Sequence, residues 1–83
     1  MLTIKVLGSG CANCKKLEAN TRQAVSMLGI EADVIKVTEY PEIMKYNLMS
    51  TPGLVINEKV VSAGRIPSEA ELTVFLTTAL TES

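Results

Sequence analysis

A strand, a glycine-bounded loop and a helix follow one another in residues 2–28, and the turning point between them reads GSGCANC at positions 8–14. Apolar and polar residues alternate from Leu2 to Leu7, with β-branched side chains among them, which indicates a strand. From Ala12 to Leu28 the spacing changes to three and four residues, and Gly29 supplies a helix stop. One helical face then carries Cys14, Leu17, Thr21, Val25 and Leu28.

The following segments predict a second strand, a short helix and a hairpin. Residues 32–37 form a β-branched run, and Tyr40-Pro41-Glu42 opens a helix that we expect to end at Asn47, a residue that tolerates the left-handed conformation. Leu54-Val55-Ile56 and Val60-Val61 are separated by residues 57–59, a spacing that suits two antiparallel strands.

A final helix follows a capping box made by Ser68 and Glu71. Its apolar stripe is formed by Leu72, Phe75, Leu76, Ala79 and Leu80. The order is therefore β-α-β-α-β-β-α, an α/β fold with a four-stranded mixed sheet. We expect the first crossover to be parallel, the hairpin to extend the sheet antiparallel, and helices to flank both faces.

The composition predicts one domain over residues 1–83 and excludes some classes of binding partner. Lys and Arg number 8 against 9 Asp and Glu, 47% of positions are hydrophobic and there is no His. Because positive and negative side chains are nearly equal in number, the protein has no electrostatic field that would steer it onto nucleic acid. The chain shows neither a signal peptide nor an apolar run of the roughly 20 residues that a membrane helix needs, so we expect a cytoplasmic protein with no membrane partner.

The two cysteines, Cys11 and Cys14, suggest sulfur chemistry. A disulfide that closes so small a ring would stabilise the fold by only about 2 kcal/mol, too little for a structural role. Cys11 falls at or beside the helix N-cap, where unpaired N–H groups favour a thiolate. Lys15 and Lys16 add positive charge, and Cys14 should be more buried and less reactive.

Other interpretations of these motifs stay open at this point. A C-x-x-C is half of a zinc site, but the chain has no third Cys and no His to complete one. Thr51-Pro52 is either a turn with a trans proline or a cis peptide bond. Glu18 and Arg22 are most simply an exposed pair four residues apart on the first helix.

Along its whole length the chain resembles the thioredoxin-like superfamily, and within it the small redox-active disulfide proteins of prokaryotes. The resemblance rests on residues 8–16 after the first strand, on Met49-Ser50-Thr51-Pro52 before the third, and on residues 60–64 before the last helix. It implies a thiol–disulfide oxidoreductase without cofactor or metal. Disulfide-containing proteins would be its substrates and a reductase its electron donor, and we expect a monomer.

In that family the first cysteine attacks and the second resolves, so the resemblance gives these roles to Cys11 and Cys14. It also makes Thr51 and Pro52 a cis-proline loop that faces the disulfide and holds an extended substrate segment. Thioredoxin places a buried acid behind the second cysteine, whereas here the first and third strands contain no Asp or Glu. The proton acceptor for Cys14 is therefore unassigned.

Glutathione binding is left open, because the chain lacks the Gly-Gly segment of glutaredoxins, although Arg65 and the helix start at Ser68 could bind an anion. Two further functions compete with the oxidoreductase. Copper-type carriers of soft metal also place a C-x-x-C between their first strand and first helix, but their element order is β-α-β-β-α-β. A protein-interaction module with incidental cysteines is the other alternative.

Overall fold

The computed structural model describes residues 2–8, 10, 12–47 and 51–82. The strands are β1 (Leu2–Leu7), β2 (Ala32–Val37), β3 (Gly53–Ile56) and β4 (Lys59–Ala63), and the helices are α1 (Ala12–Leu28), α2 (Tyr40–Met44) and α3 (Glu69–Glu82). The predicted order β-α-β-α-β-β-α is confirmed, as are the bounds of β1, α1 and β2. No helix in the part of the chain described is long and apolar enough to cross a membrane.

One four-stranded sheet, in the order β2-β1-β3-β4, organises the molecule. β1 pairs with β2 in parallel from Leu2↔Ala32 to Leu7↔Val37, and it pairs with β3 antiparallel from Ile4↔Ile56 to Leu7↔Gly53. Because β1 runs through the centre of the sheet, its carboxyl end lies between the carboxyl end of β2 and the start of β3. Gly8, which follows β1, therefore lies close to Pro52, which precedes β3.

Two apolar clusters cover the two faces of the sheet. On one face Leu2, Ile4 and Val6 pack with α1 and α3 in a cluster that is completed by Leu17, Ala24, Leu54, Ile56, Leu72 and Leu76. On the other face Leu7 and Val55 pack with Ile43 of α2. The alternation along β1 thus sends successive side chains to opposite faces, and helices flank both faces as predicted.

The short helix and the hairpin differ from the prediction in their details. α2 ends at Met44 rather than at Asn47, because Tyr46 N–H and Asn47 N–H bond to carbonyls three residues back, which forms tighter turns than an α-helix. Asn47 does adopt the left-handed conformation, with φ 55°. The hairpin turn has two residues instead of three, since Asn57 and Glu58 both have positive φ and Lys59 already belongs to β4.

The start of α3 is capped as predicted. Glu71 N–H bonds to Ser68 Oγ at 3.2 Å, and Ser68 N–H bonds back to Glu71 Oε1 at 3.4 Å. Leu72 and Leu76 are buried, but Leu80 is 40% exposed, so the predicted apolar stripe was wrong at that residue.

Candidate redox site

Cys14 lies in the first turn of α1, where the chain has just left the central strand. Its side chain is only 5% exposed, and it is disulfide-bonded. The expected burial of Cys14 on the face of Leu17 is therefore confirmed. The sequence contains one other cysteine, Cys11. Cys11 directly precedes α1 but lies outside the described residues, so its predicted place and role stay predictions.

Gly8, at the end of β1, lies directly against the sulfur of Cys14. A Cβ atom at position 8 would overlap Cys14 Sγ, lie 3.1 Å from Cys14 Cβ and come within 4.0 Å of Pro52 Cα. Gly8 is buried, and its N–H donates to Val37 O at 3.0 Å, which continues the β1–β2 ladder. Only a residue without a side chain fits between the strand and the sulfur, and this contact brings Cys14 and Pro52 to one place.

The segment that precedes β3 supplies the opposite wall of the site. The Thr51–Pro52 peptide bond is cis. Pro52 is buried and its carbonyl accepts a hydrogen bond from Gly64 N–H at 2.9 Å, whereas Thr51 is exposed. The link to Gly64 ties this wall to the end of β4. Met49 and Ser50, which the family motif also includes, lie outside the described residues.

The exposed surface at the start of α1 is cationic. The first turn of α1 contains no acidic residue, and Lys15 and Lys16 are exposed. The helix N-terminus and these two ammonium groups all favour a negative charge at its start.

Glu18, expected to be half of an exposed pair, is instead only 16% exposed in its side chain. It accepts a hydrogen bond from Arg22 Nε at 3.0 Å, as predicted, but its other oxygen lies 3.5 Å from Lys36 Nζ on β2. Glu18 therefore connects the first helix to the edge strand. Glu18 and Lys36 also line a small cavity with Cys14.

The groups proposed for anion binding near the last helix are already bonded within the protein. The Arg65 guanidinium donates two hydrogen bonds to the Glu71 carboxylate, at 3.0 and 2.7 Å. This pairing lowers the pKa of Glu71 and raises that of Arg65. Glu71 also holds Ser68 through the capping box. Two of the five guanidinium N–H donors are therefore already bonded within the chain, which does not favour glutathione at this position.

Comparison with known proteins decides the family. Residues 2–77 match the family model of the thioredoxin domain. The chain belongs to the thioredoxin-domain family. Over 72 residues, or 87% of this chain, it is 40% identical to the thioredoxin of Methanothermobacter thermautotrophicus and 38% identical to that of Methanocaldococcus jannaschii, and these matches cover 94% and 83% of the two relatives. Its general function is thus that of a thiol–disulfide oxidoreductase.

Solved structures agree on the fold. The structure of thioredoxin 1 from Thermosipho africanus is 22% identical to this chain and superposes with a TM-score of 0.56, over 98% of this chain and 99% of that one. Nothing in these comparisons supports the copper-type carrier, and the observed element order differs from that of the carriers. Among the described residues, no three His, Cys, Asp or Glu side chains cluster in a way that would hold a metal ion.

Sequence reasoning missed two neighbours of Cys14. The sequence predicts Gly8 only as part of the loop after the first strand and of the family motif, although its position three residues before Cys11 hints at a close approach to the cysteines. Glu18 follows Cys14 by four residues and so shares its helical face. That spacing is visible in the sequence, but the approach of Lys36 from β2 is not.

Proposed function

We propose that this thioredoxin-family protein reduces protein disulfides by dithiol exchange through Cys11 and Cys14. The Cys11 thiolate attacks one sulfur of a substrate disulfide, which forms a mixed disulfide and releases one substrate thiolate. The Cys14 thiolate then attacks Cys11 Sγ, which closes the Cys11–Cys14 disulfide and releases the second substrate thiolate. Two electrons pass to the substrate, and a reductase restores the dithiol.

The observation that carries this proposal is the disulfide-bonded Cys14, buried in the first turn of α1 against Gly8, which also lies close to Pro52. A buried second sulfur suits resolution, because an external disulfide cannot reach it easily. The sequence places Cys11 immediately before α1, where the helix N-terminus and the exposed Lys15 and Lys16 favour a thiolate. Attack by the first cysteine and resolution by the second follow from this difference.

We propose that Thr51 contacts the substrate. Thr51 is exposed beside the buried Pro52, whose carbonyl is already bonded to Gly64 N–H. Backbone groups at Thr51 can therefore pair with an extended substrate segment without disturbing the loop, and such pairing places few demands on the substrate sequence. We further propose that residues 1–83 act as one domain, since the family match spans residues 2–77 and one sheet carries both apolar clusters.

Two single-cysteine variants test the assignment of roles. The substrate is a peptide with an internal disulfide, and covalent complexes are detected by intact mass. Cys11→Ser should abolish reduction and form no complex, whereas Cys14→Ser should accumulate the mixed disulfide because nothing resolves it. A complex formed by Cys11→Ser but not by Cys14→Ser would reverse the roles. A protein that only binds partners would lose nothing in either variant.

The pH dependence of alkylation tests the electrostatic part of the argument. In the reduced Cys14→Ser variant, the alkylation rate should rise with a midpoint below the ordinary thiol value of about 8.5, because the helix N-terminus stabilises the thiolate. The same titration at high salt should move the midpoint upward, since Lys15 and Lys16 are exposed and screened. A midpoint at or above 8.5 contradicts the proposed activation.

A further inference from the structure

A small cavity of about 40 Å³ adjoins Cys14 on the side facing the sheet. Its walls include Cys14 and Glu18 on α1, Lys36 on β2 and Val6 on β1, and residues from the segments beside these elements complete them. Its volume is enough for a water molecule. Since Cys14 is itself buried, this cavity is where its thiol would exchange a proton.

Glu18 is the only carboxylate among the described residues that line this cavity. On a helix, residues four apart have Cβ atoms about 5–6 Å from each other, so the Glu18 carboxylate can reach the Cys14 sulfur directly or through one water. Lys36 Nζ, 3.5 Å from Glu18 Oε1, and Arg22 Nε, 3.0 Å from Oε2, hold the carboxylate from two sides. Lys15 is the remaining charged group on the cavity wall.

We propose that Glu18 accepts the proton of the Cys14 thiol when Cys14 resolves the mixed disulfide, and that Lys36 positions the Glu18 carboxylate for this step. The proposal rests on the dithiol exchange proposed above. The S–H proton of Cys14 moves to a Glu18 oxygen, the sulfur forms the bond to Cys11 Sγ, and the bond from Cys11 to the substrate sulfur breaks. The substrate leaves as a thiolate, and the proton later passes from Glu18 to solvent.

The two half-reactions can be timed separately with the chromogenic disulfide 5,5′-dithiobis(2-nitrobenzoate). In a stopped-flow experiment the reduced protein releases one thionitrobenzoate when Cys11 attacks and a second when Cys14 resolves the adduct. A wild-type protein without the second release would refute the dithiol exchange itself. The proposal about Glu18 concerns only the rate and the pH dependence of the second release.

The first measurement uses the wild-type protein and does not depend on any variant folding. With an internal proton acceptor, the rate of the second release should be nearly constant between pH 6 and 8. Without one, the rate should rise by up to tenfold per pH unit below the pKa of the Cys14 thiol, because only the fraction of Cys14 already present as thiolate can attack. A tenfold rise per unit in the wild-type protein overturns the proposal.

The second measurement replaces Glu18→Gln, which keeps the size of the side chain. Loss of a general base typically costs 10²–10⁴-fold, so we expect the second release at pH 7 to slow by about 10²-fold and to become proportional to hydroxide concentration. The first release should be unchanged. A purely electrostatic role predicts the opposite, because removing a negative charge beside Cys14 favours its thiolate and would speed resolution. An unchanged or faster second release overturns the proposal.

Glu31→Gln is the matched control. Glu31 is exposed, and its carbonyl accepts Leu2 N–H at the end of β1 opposite to Gly8. The substitution removes the same charge from the chain but leaves the cavity intact, so both releases should keep their wild-type rates. A second release slowed equally in both variants would show that net charge, not Glu18, sets the rate, and would overturn the proposal.

Discussion

Replacing Gly8 by alanine tests the contact between the end of β1 and the second sulfur. The added Cβ would overlap Cys14 Sγ and lie 3.1 Å from Cys14 Cβ. The strand cannot easily withdraw, because Gly8 N–H is bonded to Val37 O at 3.0 Å. Overpacking of this kind costs about 1–3 kcal/mol. In a domain of this size each kcal/mol lowers the melting temperature by about 4–8 °C.

The loss of stability caused by Gly8→Ala should depend on the redox state of the two cysteines. In the oxidised protein the disulfide holds Cys14 Sγ in place, whereas in the reduced protein the thiol can turn about χ1 away from the new methyl group. We therefore expect Gly8→Ala to destabilise the oxidised form more than the reduced one. If the whole cost falls on the oxidised form, the reduction potential rises by about 20–60 mV, since 30 mV corresponds to 1.4 kcal/mol.

Two measurements follow from this reasoning, thermal unfolding of both redox forms and equilibration of the dithiol against a redox buffer. Gly29→Ala is the control, because Gly29 has φ 64° and no atom within 4 Å of a Cβ. Its cost of about 1–2 kcal/mol comes from backbone strain and should be equal in both redox states. If Gly8→Ala lowers the stability of the two forms equally, or leaves both unchanged, the proposed contact with the sulfur is refuted.

Two other substitutions test the cap of α3 and the polar cluster on the α2 face of the sheet. Ser68→Ala removes the acceptor of Glu71 N–H and should cost about 1 kcal/mol in chemical denaturation, with the same loss in both redox forms; no loss would contradict the capping role. Lys5 donates to Glu58 at 2.8 Å and to the Tyr46 hydroxyl at 2.7 Å, and the lysine lowers the pKa of Glu58 below its ordinary 4.5. The stability from this depressed pKa is therefore present above pH 4.5 and is lost as the pH falls through the folded value. Unfolding midpoints of wild type and Glu58→Gln should converge in that acidic range, and a difference that persists below it would refute the pairing.

Local sequence patterns were sufficient to predict most of the elements of the fold. β1, α1 and β2 have the predicted bounds because alternation of period two, helical spacing and Gly29 mark each one within a few residues. The end of the short helix was harder to predict, since the N–H groups of Tyr46 and Asn47 bond to carbonyls three residues back, and no local sequence pattern marks that change. The hairpin turn was missed by one residue because Glu58, which rarely takes positive φ, does so here.

The site was less accessible to sequence reasoning because its contacts join distant segments. The C-x-x-C and the Thr-Pro pair were identified as motifs, but the approach of Gly8 to both Cys14 and Pro52 depends on the central position of β1 in the sheet. An anion bound at Arg65 would meet competition from within the chain, because Glu71 at the start of α3 accepts two hydrogen bonds from the guanidinium. A carboxylate within the same chain competes with any anionic ligand for these guanidinium donors.

The geometry of β1 also explains why a helix would have to supply the acid behind Cys14. Neighbouring side chains on this strand point to opposite faces, so Val6 faces the cavity while Lys5 faces Tyr46 and Glu58 on the other side. With Val6 at the floor and Gly8 against the sulfur, the strand offers no proton acceptor at this position. Glu18, one helical turn after Cys14 on α1, is the only carboxylate among the described residues that line the cavity. A proton acceptor on α1 rather than on β1 is thus consistent with the absence of Asp and Glu from β1.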